Sequence, residues 1–491
     1  MNHSKSLLQR ITFSALLIGL LMFFVSSSVF AEGAKNIIVM ISDGCGYNQI
    51  DATSIYQYGK TGTQVYERFP VKYAMATFSA GDFDNSGNWK YRGSYDPAQA
   101  WTWFEYVKNG YTDSASAGTA MSTGIKTYDA GIGVDVNKKP LKHYMQLAKE
   151  LGKATGVITS VQFSHATPAT HIAHNVSRNN YAEIAREMIL DSKADLIMGC
   201  GHPLFDNNAQ PTMEIDYKYV GGQAVWEGLL TGLTDFDLDG DGVNDNSLED
   251  IDGDGKPDKW TLIQDVVEFQ ALMNGDTPKR VIGVPKVYQT LQYRRKTSLG
   301  EGYSSKNEKI PYETPLNQNV PTLVEMTKGA LNFLHNNPKG FTLMIEGGAV
   351  DWACHDNSSA RMIEEEIDFN KSVEAVIDWV NQNSNWNETL LIVTGDHECG
   401  YLTGPGSGPE PDDPNDDIKP VWNPLVNNGA GNLPGMEWHS GNHTNSLIPF
   451  FAKGAGASFF ATKVAGVDSV RGSYIDNTEI AKVIFELHSM K

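Results

Sequence analysis

The apolar positions of the chain fall into two kinds of run. Asn36–Ser42 (NIIVMIS), Ala154–Ser160 (ATGVITS), Asp195–Met198, Phe341–Ile345 and Thr389–Thr394 (TLLIVT) are short and nearly unbroken. That is the pattern of strands buried on both faces. Leu141–Leu151, Tyr181–Leu190, Pro321–Leu334 and Ser359–Asn381 lie between them and carry apolar residues at helical spacing. Strand-like and helix-like runs alternate, which predicts an α/β fold around a mostly parallel sheet.

In such a fold, ligands bind beyond the carboxyl ends of the strands. Polar, ligand-type side chains stand at several of those ends. Asp43 follows NIIVMIS, His165 and Thr167 follow ATGVITS, Glu346 follows FTLMI, and Asp396-His397 follows TLLIVTG. One such residue is an ordinary cap or turn; four sets in step point to a shared site. Asp351 and His355, four residues apart, share a helix face. With His443 they complete a set of carboxylates and imidazoles of the kind that zinc accepts.

Ser114 lies in the small-residue run Thr112–Ala120 (TDSASAGTA), which opens a helix. There its hydroxyl sits near backbone N–H groups able to hold phosphate. A helix-capping serine without chemistry is the equally weighted alternative at this stage. Arg178 in HIAHNVSR is a candidate two-pronged clamp for phosphate oxygens, or a surface arginine.

Composition narrows the field. The chain has 491 residues with 20 % charged and a formal charge of −20. Such acidity disfavours nucleic-acid binding, and an anionic substrate then requires local cations. Residues 1–31 read as a secretory leader: Lys5 and Arg10, the apolar stretch Ile11–Val25, and small residues at Val29 and Ala31. The stretch is short for a membrane span. The expected mature protein, 32–491, is therefore periplasmic or secreted, without a membrane anchor. Export permits disulfides among Cys45, Cys200, Cys354 and Cys399, but buried free thiols are an equal alternative.

The ordered blocks carry a resemblance. They are Asp43-Gly44, the TDSA.AGTA segment, HATPA followed by Arg178, EGG..D...H, the TGDHE block, and GNHT with Pro449. In that order the chain resembles the alkaline phosphatase family over nearly its whole mature length. The resemblance implies a three-layer sandwich, a homodimer, and hydrolysis of small phosphate monoesters through phosphorylated Ser114. It implies two zinc ions, one held by Asp351, His355 and His443 and the other by Asp43, Asp396 and His397. Glu346, Thr167 and Asp43 would hold one magnesium ion. Arg178, oriented by Asp113, would grip the phosphate. His165 and Trp352 depart from the best-known bacterial pattern and match some marine bacterial members; both are expected near the substrate. His439 is the weaker neighbour of His443, and His171, His174 and His202 are expected to be structural.

Two stretches stand apart. Residues 235–260 contain Asp237, Asp239, Asp241 and Asp245, and thirteen positions later Asp250, Asp252, Asp254 and Asp258. Carboxylates alternating around glycine turns suit calcium. Residues 400–441, rich in Gly, Pro, Asn and Asp, read as a long irregular loop. A phosphodiesterase or sulfatase of the same superfamily is the rival enzyme; the latter would need a C/S-x-P-x-R block that Ser114 lacks. A calcium-dependent binding module explains only the acidic insert.

Overall fold

The computed structural model describes residues 33–83, 86–231, 250–251, 253–256, 258–409 and 419–490. The leader at 1–31 lies outside them. So do Asp237, Asp239, Asp241, Asp245 and Asp252 of the acidic insert.

Eleven strands of the described residues form one sheet. They are β1 (Asn36–Ser42), β2 (Val71–Ala76), β3 (Ala154–Gln162), β4 (Leu196–Cys200), β5 (Thr261–Ile263), β6 (Val281–Gly283), β7 (Phe341–Gly347), β8 (Thr389–Thr394), β9 (Ile448–Gly454), β10 (Val464–Asp468) and β11 (Gly472–Asp476). Their order is β10-β11-β2-β9-β8-β1-β7-β3-β4-β6-β5. The centre, β8-β1-β7-β3-β4, is parallel throughout, and β9 runs against both its neighbours. The expected mostly parallel sheet is thus observed.

The unbroken apolar strands divide their side chains between two cores. Ile38 and Met40 of β1 join Leu343, Ile345, Leu391 and Val393 on one face. Ile37, Val39 and Ile41 join Met344, Leu390 and Ile392 on the other. Period-two alternation with both faces covered explains why these runs are apolar at every position. The first face is covered by α1 (Tyr47–Tyr58), α7 (Val266–Leu272), α8 (Leu323–Leu334), α9 (Ala349–His355) and α10 (Ser359–Asn383). The second is covered by α2 (Ser114–Thr123), α3 (Tyr144–Glu150), α4 (Ala166–Ile172), α5 (Tyr181–Leu190), α6 (Gln223–Thr231) and α11 (Thr478–Ser489). Helix, sheet and helix make three layers.

The described parts of 400–441 are mostly irregular; Leu402–Thr403 pairs with Glu437–Trp438, and isolated bridges join Gly408 to Val421 and Val426 to Gly435. All four cysteines are buried and free.

Helix α10 is amphipathic in outline but buries three consecutive carboxylates. Glu364 pairs with Arg295 at 2.7 Å, and Glu366 accepts from Ser42 Oγ at 2.6 Å. Glu365 has no such partner: among the described residues its Oε1 is buried without a hydrogen bond. Burial first, then the Asp368 and Glu364 charges, raise its pKa to about 8. A carboxyl raised on folding binds its proton more tightly in the native state. Stability is therefore lost as pH rises from the unfolded value, about 4.5, towards 8. Glu365→Gln should gain over the parent by about 1.4 kcal/mol per pH unit across that window and plateau above it. Urea denaturation at several pH values checks this; a pH-independent difference would contradict it.

Candidate active site

Strand register assembles the first part of the site. In β1, Ile41 pairs with Glu346 of β7 on one side and Thr394 of β8 on the other. Asp43, Glu346 and Asp396 therefore emerge side by side at the carboxyl edge, and all three are buried. Gly44 turns the chain there with φ +71°, and a Cβ on it would lie 2.7 Å from Asp351 Cα. Glycine meets both the left-handed backbone and the close approach.

His397 completes one cage. Its Nε2 lies 3.2 Å from Asp396 Oδ2 and 3.4 Å from Asp43 Oδ1. A second cage forms from α9 and a short strand. Asp351 and His355, one turn apart, approach to 3.3 Å. His443 Nε2 is 3.4 Å from Asp351 Oδ1 and 3.0 Å from His355 Nε2. His443 arrives because His443–Thr444 pairs antiparallel with Glu398–Cys399. That pairing also stacks the His397 and His443 rings with centroids 3.5 Å apart.

Both cages fit cations. His355 Nδ1 lies 2.7 Å from Gly441 O and His443 Nδ1 lies 2.9 Å from Thr112 O. Donation there orients each ring with Nε2 turned into the cage. Asp43 Oδ1, Asp351 Oδ1 and Asp396 Oδ2 are buried without hydrogen-bond partners among the described residues. Burial, then the Asp396, Asp351 and Glu346 charges, push the Asp43 carboxyl well above its usual range. Burial raises Asp396 to about 6 and Glu346 to about 7. Burial opposes ionisation of Asp351 too, but His355 and His443 beside it win and hold it well below that range. Its charge in turn lifts His355 to about 9. Anions packed this closely away from water need positive charge among them.

Cys399 joins the second cage: its Sγ and the ligand atoms of Asp351, His355 and His443 all lie within 4.8 Å of one another. Sequence reading did not single it out as part of that group.

A third cluster surrounds Glu346, which accepts from Thr159 Oγ1. Glu346 Oε1 and Thr167 Oγ1 are also buried and unpartnered among the described residues. His165 caps α4 and is held near pKa 3 by burial and then by Arg178. It stands beside Tyr181 and Trp352, outside both cages.

Ser114 is the first residue of α2, and its Oγ lies 3.2 Å from His397 Nε2. Asp113 is the helix cap. Its Oδ1 accepts from Ser116 N at 2.9 Å, while its Oδ2 accepts from Arg178 Nη1 at 2.9 Å. One carboxylate thus ties the start of the helix to the guanidinium. The small residues of the run have a packing reason: a Cβ on Gly118 would meet Thr170 Oγ1 at 2.4 Å, where α2 crosses α4.

A cavity of about 500 Å³ opens over Ser114, lined also by Asp113, Arg178, His165, Trp352, His355 and His443. Gln289, Arg294, Tyr111 and Asn442 line it too; they come from loops with no periodic signal. His439 bonds to Thr403 instead of either cage. His171, His174 and His202 bond to Thr167 O, Glu187 and Gln264. Of the acidic insert, Asp250 accepts from the backbone N–H groups of Gly253, Asp254 and Gly255. Lys279 bridges Asp254 and Asp258.

Comparison with known proteins bears on the family and the fold. The chain is similar to alkaline phosphatase 4 of Bacillus subtilis, 30 % identical over 297 residues, or 60 % of this chain and 50 % of the relative. Alkaline phosphatase 3 of the same organism is 28 % identical over 74 % of this chain and 61 % of its own. The chain thus spans about half to three-fifths of these two relatives. With the alkaline phosphatase of Escherichia coli it shares 29 % identity over 383 residues, 74 % of this chain and 70 % of that one. In fold it resembles the cold-active alkaline phosphatase of a psychrophilic Shewanella, with TM-score 0.62 and 22 % identity over 92 % of this chain and 99 % of that chain. The family model described as "Alkaline phosphatase" matches residues 34–413, which include Ser114, Arg178 and every cage residue named above except His443. The chain belongs to the alkaline phosphatase family.

Proposed function

We propose that the chain hydrolyses phosphate monoesters to an alcohol and inorganic phosphate, with Ser114 as the transient phosphoryl acceptor. One observation carries this reading: Ser114 Oγ, at a helix N-terminus, faces a cavity between two acid–imidazole cages and an arginine. Arg178 grips two phosphoryl oxygens, and Asp113 holds its guanidinium in place. Backbone N–H groups at the start of α2 complete the cradle for negative charge. Ser114 Oγ, its proton lost to solvent, attacks phosphorus in line with the ester oxygen; the ester bond breaks and the departing alkoxide takes a proton from water to leave as the alcohol. Water then takes the phosphoryl group from Ser114 and frees phosphate. Trp352 and His165 border the mouth and limit solvent there.

The donor sets favour zinc in both cages, with Asp351, His355 and His443 in one and Asp43, Asp396 and His397 in the other. Glu346, Thr167 and Asp43 offer oxygen donors suited to magnesium. When bound, such ions supply Lewis acidity, lowering the pKa of hydroxyl nucleophiles and offsetting phosphoryl charge. The acidic insert would bind calcium for local stability. The leader, Ala31 included, would be removed on export to the periplasm or medium, and the working form would be a homodimer. Among the described residues no helix is long and apolar enough to cross a membrane.

Release of p-nitrophenol from its phosphate should rise towards about pH 9–10, where hydroxyl nucleophiles ionise more readily. Ser114→Ala should lower kcat by about three orders of magnitude or more, with no phosphate trapped on the protein after acid quench. A variant that still labels would remove Ser114 as the phosphoryl acceptor. Arg178→Lys keeps the charge but loses the planar fork, so kcat/KM should fall about tenfold or more.

Chelation should abolish activity and lower the thermal midpoint by several degrees, because buried carboxylates lose their counter-charge. Zinc should restore both, and metal analysis should find two zinc ions per chain. Separately, calcium should slow proteolysis within 235–260; resistance indifferent to calcium would remove the ion from that segment.

A further inference from the structure

A second basin lies beside the catalytic cavity. It measures about 560 Å³ and shares two lining residues, Arg294 and His355, with the cavity over Ser114. The two spaces therefore adjoin, with Arg294 and His355 at their common border. The basin is built around the segment Tyr293-Arg294-Arg295-Lys296 and Lys306, a basic group in a chain of formal charge −20.

The charges there are not all alike. Arg295 is spent on buried Glu364 and Arg361 on buried Glu308. These ion pairs make the basin's floor. Its acid wall is Asp356, which already accepts from Arg294 at 3.1 Å and from the Tyr293 hydroxyl. Lys296 and Lys306 are exposed. Neither ammonium has a carboxylate within ion-pair distance among the described residues. Arg294 stands at the rim between the two spaces, its guanidinium 5.1 Å from the Trp352 ring centroid. The shared rim thus leads from Ser114 to two uncompensated cations.

We propose that this basin receives a second phosphate carried on the leaving group, so that the favoured substrates are bisphosphates. This deepens the phosphatase reading and rests on it. Arg178 and Ser114 engage the phosphoryl group that is transferred. Lys296 and Lys306 meet the phosphate that stays on the departing alcohol. The Ser114 oxygen–phosphorus bond forms as the ester bond breaks, and the alcohol leaves with its remaining phosphate intact. Lysine provides the mobile point charge that suits substrates of differing length. The contribution should appear mainly in binding, since the second phosphate undergoes no change of charge in the reaction.

The test compares fructose 1,6-bisphosphate with p-nitrophenyl phosphate on the full-length, metal-loaded protein. In Lys296→Ala/Lys306→Ala, kcat/KM for the bisphosphate should fall about tenfold or more through KM, since charge-assisted contacts are lost. p-Nitrophenyl phosphate should stay within about twofold. Lys296→Arg/Lys306→Arg should restore most of the loss. In the parent, added salt should weaken the bisphosphate reaction more steeply than the other. Equal losses on both substrates, or no loss on either, would overturn the subsite while leaving the phosphatase reading intact. A metal-loaded parent inert towards p-nitrophenyl phosphate would overturn that reading, and the subsite with it.

Discussion

Mutual repulsion among buried carboxylates is the constraint on which the rest of this molecule depends. Asp43, Glu346, Asp351 and Asp396 are all within 5 % of full burial, close enough to shift one another's ionisation. Water cannot screen them there, and imidazoles and Arg178 oppose them within the cavity. Such a cluster costs free energy unless cations share it. The fold accepts that cost at one edge of the sheet, where the same cations would neutralise an incoming phosphate. A strongly negative chain can still offer a site of opposite local charge, set by what the cages would hold and not by the total.

Rigidity follows from where the acids are mounted. Three come from the ends of adjacent parallel strands whose hydrogen-bonded register leaves little freedom, and two core layers clamp those strands. Asp351 and His355 ride on α9, packed directly beyond β7. Ser114 is positioned by a different device, the first turn of a helix whose cap also anchors Arg178. Asp113 therefore couples the Ser114 turn to the Arg178 guanidinium through a single side chain. A change at the cap would move both.

The periphery is less regular than the site. Tyr111, Gln289, Arg294 and Asn442 border the cavity from loops, and the basic basin beside it is loop-built as well. Strand ends thus supply the shared chemistry, while loops shape what can approach it. Cys399 belongs between these groups: it comes from a two-residue strand that exists because it pairs with His443.

How legible this was differs from residue to residue. NIIVMIS and TLLIVT are readable as strands because a sheet covered on both faces demands unbroken apolar residues, and their boundaries in the structure coincide with the runs. Asp43, Glu346 and Asp396 were readable as a group because each follows such a strand, and parallel strands present their carboxyl ends together. His443 is legible as a ligand-type residue, but its place beside Asp351 and His355 is not, since its approach depends on pairing with Glu398–Cys399. The three buried glutamates of α10 and the part played by Cys399 were not readable at all. Helical or strand periodicity reports which way a side chain points, not what it meets. What it meets was decided by packing between distant segments, because charges interact through space and the chain brings them together only on folding.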